Sequence, residues 1–125
     1  MIRRTLLYPL ILLLAIGFAL ALATWAWTGE IPARAGQYRA VLIREARAVW
    51  GLDAPVATMA AQIHQESAWR HDAVSRAGAQ GLAQFMPRTA VWLPSVAPET
   101  GEPLPFNPGW AIRAMIIYDK WLWDR

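Results

Sequence analysis

The sequence predicts an all-α, or mainly α, domain set behind an N-terminal apolar helix. Three observations lead there: residues 6–27 read LLYPLILLLAIGFALALATWAW without a charge, apolar residues recur at helical spacing in later segments, and no stretch alternates convincingly with period two. At about 1.5 Å of rise per residue, the N-terminal run is long enough to cross a hydrocarbon core of roughly 30 Å. Arg3 and Arg4 precede it and only Glu30 and Arg34 follow soon after, a bias that favours a cytoplasmic N-terminus and an exported remainder. Ala19-Leu20-Ala21 and Ala21-Leu22-Ala23 also carry the small-x-small form of a signal-peptidase site, so a retained inner-membrane anchor and a cleaved signal both remain open. Trp25 and Trp27 at its outer end suit the aromatic belt of a membrane interface.

Residues 28–36 mix Gly, Pro and polar side chains without a period and read as a linker, which places the folded domain at residues 37–125. Tyr38, Val41, Leu42, Glu45, Ala46 and Val49 predict a first helix that stops at Gly51. Asp53 as N-cap and Pro55 in the first turn predict a second helix running to about Trp69. Its core stripe is Val56, Met59, Ala60, Ile63 and Ser67, which leaves Glu66 on the flank beside Met59 and Gln62, neither deeply buried nor freely solvated. Residues 70–80 read as a loop, residues 81–84 as a short helical turn, and Pro87 as the start of a further helix through Leu93. A proline-dense loop follows from Pro94 to Pro108. Asn107-Pro108 then caps a last helix with Ala111, Ala114, Met115, Tyr118 and Leu122 on one face.

The chain has 125 residues, 56% of them apolar, and no cysteine, so disulfides and thiolate metal sites are excluded and the domain must rely on packing. Its formal charge of +3 comes from scattered basic residues, a pattern that speaks against nucleic-acid binding while assisting approach to an anionic wall polymer or lipid surface. His64 and His71 bracket Glu66, but their spacing is not that of a His-Glu-x-x-His zinc helix, and no metal or cofactor is expected.

The chemistry-bearing stretch is Glu66-Ser67-Ala68-Trp69, followed by Ala73-Val74-Ser75-Arg76-Ala77-Gly78-Ala79 and by Gly81-Leu82-Ala83-Gln84-Phe85-Met86-Pro87 with Thr89-Ala90. Phe106-Asn107-Pro108, Ala111-Ile112-Arg113-Ala114 and Tyr118 complete the series. In order and spacing these blocks resemble the catalytic domain of lytic transglycosylases of the soluble-transglycosylase (SLT) type, within the lysozyme-like superfamily. The resemblance covers roughly Asp53 to Leu122, and several ordered blocks are far more specific than a lone short motif.

The resemblance implies a lysozyme-like helical domain that acts on peptidoglycan glycan strands. Glu66 would be the single general acid and then general base, protonating the β-1,4 bond between N-acetylmuramic acid and N-acetylglucosamine. It would then take a proton from the muramic 6-hydroxyl, which closes a 1,6-anhydro end without consuming water. Ser67, Ser75, Gln84 and Met86 would contact the sugar or the acid. Independently, no second carboxylate is obviously paired with Glu66, although most hydrolysing glycosidases use two. Asp72, in the following loop, is the nearest in sequence, and a hydrolase remains the nearest alternative. Family members also carry an Ala-Tyr-Asn-Ala/Gly-Gly segment beyond the helix of Tyr118. The sequence ends at Trp121-Leu122-Trp123-Asp124-Arg125 without it, which leads to the expectation of a domain lacking its C-terminal part, and a domain that binds glycan or a partner without cutting is a further alternative.

Overall fold

The structure is a computed structural model that describes residues 30–125. The predicted anchor or signal helix lies outside the described residues, and among those residues no helix is long and apolar enough to cross a membrane. The unit from Pro32 to Arg125 is mainly helical, as the spacing of its apolar residues predicts. A 3-10 turn, Ala33–Tyr38, leads into α1 (Arg39–Trp50), followed by α2 (Val56–Ser67), α3 (Pro87–Trp92) and α4 (Pro108–Trp123), with 3-10 turns at Leu93–Ser95 and Pro98–Thr100. Extended structure among the described residues is limited to two isolated antiparallel bridges, Val74 with Gln80 and Gln80 with Phe85.

α4 is the central helix. Ala111, Ile112 and Ala114 to Ile117 are all buried and only Gly109 and Arg113 of its first turns are exposed, so it is covered over most of its circumference, with α1 as its main partner. The single face expected for this helix is therefore too narrow. Ile112, Ile116 and Ile117 are core residues as well, whereas Leu122 at the far end is exposed. α1 contributes Leu42 and Ala46 and α2 contributes Met59 and Ile63, each such large apolar side chain stabilising the fold by about 1.5–3 kcal/mol. Trp50, at the end of α1, donates its indole N–H to the Ile116 carbonyl at 3.1 Å and fastens the two helices together.

Two boundaries differ from expectation. The ordered domain begins at Ala33, inside the stretch read as linker, because Ala35 and Tyr38 are buried in the core; a turn too short to show a period gave no signal of this. Asp53 is not the cap of α2: Pro55 holds that position without a side-chain hydrogen bond, and the helix begins at Val56. Asn107 does cap α4 as read, its Oδ1 accepting the Trp110 amide at 2.9 Å while Pro108 occupies the first helical position. Asn107→Ala is expected to lower stability by about 1 kcal/mol, and Asn107→Ser by much less, as measured by urea unfolding.

Candidate functional site

Glu66 occupies the last turn of α2, where it is exposed and makes no hydrogen bond or ion pair with another described residue. The flanking position predicted for it is therefore more open than expected. Ser67 turns the other way: it is buried, and its hydroxyl donates to the Ile63 carbonyl at 3.3 Å, the back-bond that a serine makes within a helix. The helix stops because Ala68 (φ 49°) and Trp69 (φ 66°) both adopt the left-handed region, and the Ala68 amide still reaches the His64 carbonyl at 2.9 Å. A non-glycine residue there costs roughly 1–3 kcal/mol. Burial of Trp69 and its stacking on Tyr38, with centroids 6.2 Å apart, offset that cost. The consequence is a sharp exit that drops Trp69 into the core directly after Glu66.

The third non-glycine residue with positive φ among those described is Gln84 (φ 50°), in the other motif block. Its Nε2 donates to the Ala73 carbonyl at 3.2 Å and to the Gly81 carbonyl at 2.8 Å. Both partners are acceptors, so the amide orientation is fixed and both Nε2 protons are spent. Only Oε1 remains to meet a ligand, and Gln84 can accept a hydrogen bond from a sugar hydroxyl or amide but cannot offer one. The need for a partner that its apolar neighbours implied is met by the loop itself.

Gln84 sits in a compact double turn. The amide of Gly81 donates to the Ala73 carbonyl at 2.9 Å, and Gln80 and Phe85 exchange bonds at 2.9 and 3.0 Å. Ser75 holds the preceding turn, its Oγ accepting the Ala79 amide at 3.0 Å and its carbonyl accepting the Gly78 amide at 3.0 Å. The chain of bonds from Arg70 to the Ser67 carbonyl and from Ala73 to the Arg70 carbonyl joins this loop to the end of α2. Met86 follows in extended conformation, 43% exposed, as the residue that precedes α3. No hydrogen bond among the described residues links Glu66 to Ser75, Gln84 or Met86. Asp72 is 73% exposed and 3.8 Å from Arg70, a solvated surface pair. Trp69 and Trp110 are core residues, and Trp92 is 40% exposed.

The family model described as the transglycosylase SLT domain matches residues 42–122, a span that contains both motif blocks and all of α4 up to Leu122. The chain belongs to the SLT transglycosylase family. Its fold is the mainly helical, lysozyme-like one of that family, and the family-level activity is cleavage of peptidoglycan glycan. No curated protein and no solved structure matches the chain.

The SLT domain also holds a feature that periodicity did not reveal. A cleft of about 680 Å³ lies where the beginning of α2 meets the end of α4. Trp50, Pro55, Met59, Leu122 and Trp123 form its apolar walls, and Asp53, Thr58, Gln62 and Asp119 supply its polar groups. Thr58, Gln62 and Glu66 are spaced four residues apart, so they form one ridge of α2, and Glu66 stands roughly 6 Å along the axis beyond Gln62. Gln62 Nε2 donates to Asp119 Oδ1 at 3.4 Å. Burial raises the pKa of Asp119, and the Gln62 hydrogen bond partly opposes it. The sequence signal for Asp119 is a carboxylate directly after the apolar stretch Met115-Ile116-Ile117-Tyr118.

The raised pKa of Asp119 has a measurable consequence. A carboxyl whose folded pKa lies above its unfolded one stabilises the fold when protonated. That contribution is complete below the unfolded value and is lost as pH rises through the folded one. Asp119→Asn, which keeps an oxygen to accept from Gln62, is therefore expected to unfold at a higher temperature than the wild type above the carboxylate range, with the two midpoints converging in acid. Thermal unfolding followed across pH checks this.

Proposed function

We propose that this SLT domain is a lytic transglycosylase in which Glu66 acts as the single acid and base, cleaving the MurNAc-β-1,4-GlcNAc bond and leaving a 1,6-anhydroMurNAc end. The observation that carries the reading is the placement of Glu66 at the strained exit of α2, bonded through the backbone to the loop of Gln84. Strain that clusters in two motif blocks, and nowhere else among the non-glycine residues described, is characteristic of a functional site. An exposed carboxyl with no bond to another described residue is free to reach the glycosidic oxygen. Asp72, solvated and tied loosely to Arg70, is poorly suited to hold a water on the opposite face of the sugar.

The charge-free run at residues 6–27 supports export of the domain, either held at the outer face of the inner membrane or released after signal cleavage. Peptidoglycan is the partner this location would present. One observation favours a second reading, glycan binding without cleavage: Glu66 is exposed, whereas a catalytic glutamic acid is usually set against apolar groups. Mass spectrometry of muropeptides released from purified peptidoglycan separates the readings. Products one water lighter than reducing muropeptides support transglycosylation, reducing ends indicate a hydrolase, and no release by folded protein indicates a binding domain.

A further inference from the structure

The cleft beside Asp119 is not accounted for by the chemistry of Glu66. Its volume falls in the range typical of small-molecule sites, and its composition is selective in charge. Two carboxylates, Asp53 and Asp119, line it, and among the described residues no lysine, arginine or histidine does. Asp119 Oδ1 accepts from Gln62, and Oδ2 has no bond to a described residue. Trp50 is held rigidly by its hydrogen bond to Ile116, and Trp123, 77% exposed, lies with its ring 6.1 Å from that of Trp50. The Trp50 ring already has the Lys120 ammonium 5.6 Å from its centroid, so an ammonium at an aromatic face is a contact this region makes.

We propose that this cleft binds the free primary ammonium of a flexible aliphatic amine, with the methylene chain lying along Met59 and Leu122 and the ammonium meeting Asp119 and Asp53. The charge pattern disfavours phosphate and carboxylate ligands, because two carboxylates line the cleft and the ammonium beside it, that of Lys120, is already paired with Asp124. A cation instead regains in the cleft the charge-assisted hydrogen bonds it loses from water, and its methylenes bury apolar surface. The cleft lies on the same α2 ridge as Glu66, about one helical turn away. If Glu66 cuts peptidoglycan, as proposed above, the amine that can reach this position is that of a diamino acid in the peptide stem beside the cut. The cleft would then distinguish stems with a free amine from stems whose amine is engaged in a cross-link. This second step rests on the proposed function; the amine site itself does not.

The test is calorimetric titration of the full chain carrying Glu66→Gln, so that binding is read without turnover. The probes are a disaccharide-peptide with a free diamino-acid amine and the same molecule N-acetylated at that amine. The free amine is expected to bind about tenfold or more tightly, the range of a hydrogen bond to a charged group. Asp119→Asn and, separately, Asp53→Asn are expected to remove most of that difference while leaving the acetylated probe unaffected. Asp53 is exposed and makes no described hydrogen bond, so its variant stays informative should Asp119→Asn disturb folding. Equal binding of the two probes, or a difference that survives both substitutions, overturns the proposal. So does competition for the cleft by a β-1,4-linked tetramer of N-acetylglucosamine that depends on Asp119, which would make the cleft a neutral-sugar site. Wild-type chain that fails to cleave while the amine difference persists would refute the reaction and leave the amine site standing.

Discussion

Glu66→Gln is expected to lower the rate of glycan cleavage by on the order of 10²- to 10⁴-fold, the contribution of a positioned general acid and base. The fold should not change with it. Glu66 is exposed and makes no hydrogen bond to a described residue, so exchanging its carboxyl for an amide of the same shape should move stability by no more than about 0.5 kcal/mol. Glutamine can still accept a hydrogen bond from the substrate but has no proton to deliver to the leaving oxygen. The rate should therefore collapse while affinity for the glycan is retained. Comparable loss of affinity and rate would mean that Glu66 holds the sugar and does not drive its cleavage.

Gly81→Ala is expected to cost about 3 kcal/mol or more, and the reason is geometric. A Cβ built at Gly81 would stand 1.8 Å from the Pro105 carbonyl oxygen and 2.8 Å from its carbon, so the loop carrying Pro105 would have to move. Gly81 also has φ of +76°, which an alanine adopts only at a cost. Overpacking and strain each contribute about 1–3 kcal/mol, and in a domain of this size their sum should lower the melting temperature by roughly 10–20 °C. Gly78, also at positive φ but with open space around it, should lose only the strain component when changed to Ala. Thermal unfolding of the two variants side by side separates contact from strain. Equal losses would show that the approach of Pro105 does not matter.

The elements that could be read from the chain were those whose local chemistry decides their structure. Gly51, at φ +86°, ends α1 where it was expected to, and Asn107-Pro108 starts α4 because a side-chain acceptor and a proline act within one turn of each other. Met59, Ile63 and Ser67 lie on the predicted buried stripe of α2 for the same reason, since a 3.6-residue period is a local property. What failed was non-local. Asp53 has the right chemistry for a cap, but the chain reaches α2 through Pro55, and Asp53 lines the cleft. The first turns of α4 are buried over most of their circumference, with α1 as main partner and Arg113 left exposed, which a search for one stripe cannot distinguish from one-sided burial. Asp119 meets Gln62 across 57 positions of sequence, a pairing that no spacing rule could anticipate.

The site shows the same division. The order and spacing of the Glu66 and Gln84 blocks pointed to SLT transglycosylases, and the family match agrees. The roles of individual side chains were less legible, because they depend on which atoms the fold has already engaged. Ser75 and Gln84 were read as sugar contacts, yet both already make bonds that hold their own loop, Gln84 with both amide protons and Ser75 as an acceptor. Ser67, expected to contact the sugar or the acid, is buried and bonds back into α2. The bonds of Ser75 and Gln84 fix the loop between α2 and α3 before any sugar arrives.

The most direct test of the central claim is digestion of purified peptidoglycan in ¹⁸O-water by the full chain and by its Glu66→Gln variant, with the new glycan ends read by mass spectrometry. The account predicts 1,6-anhydro ends free of the label from the wild type and none from the variant. Labelled reducing ends, or equal release by the two proteins, would contradict it.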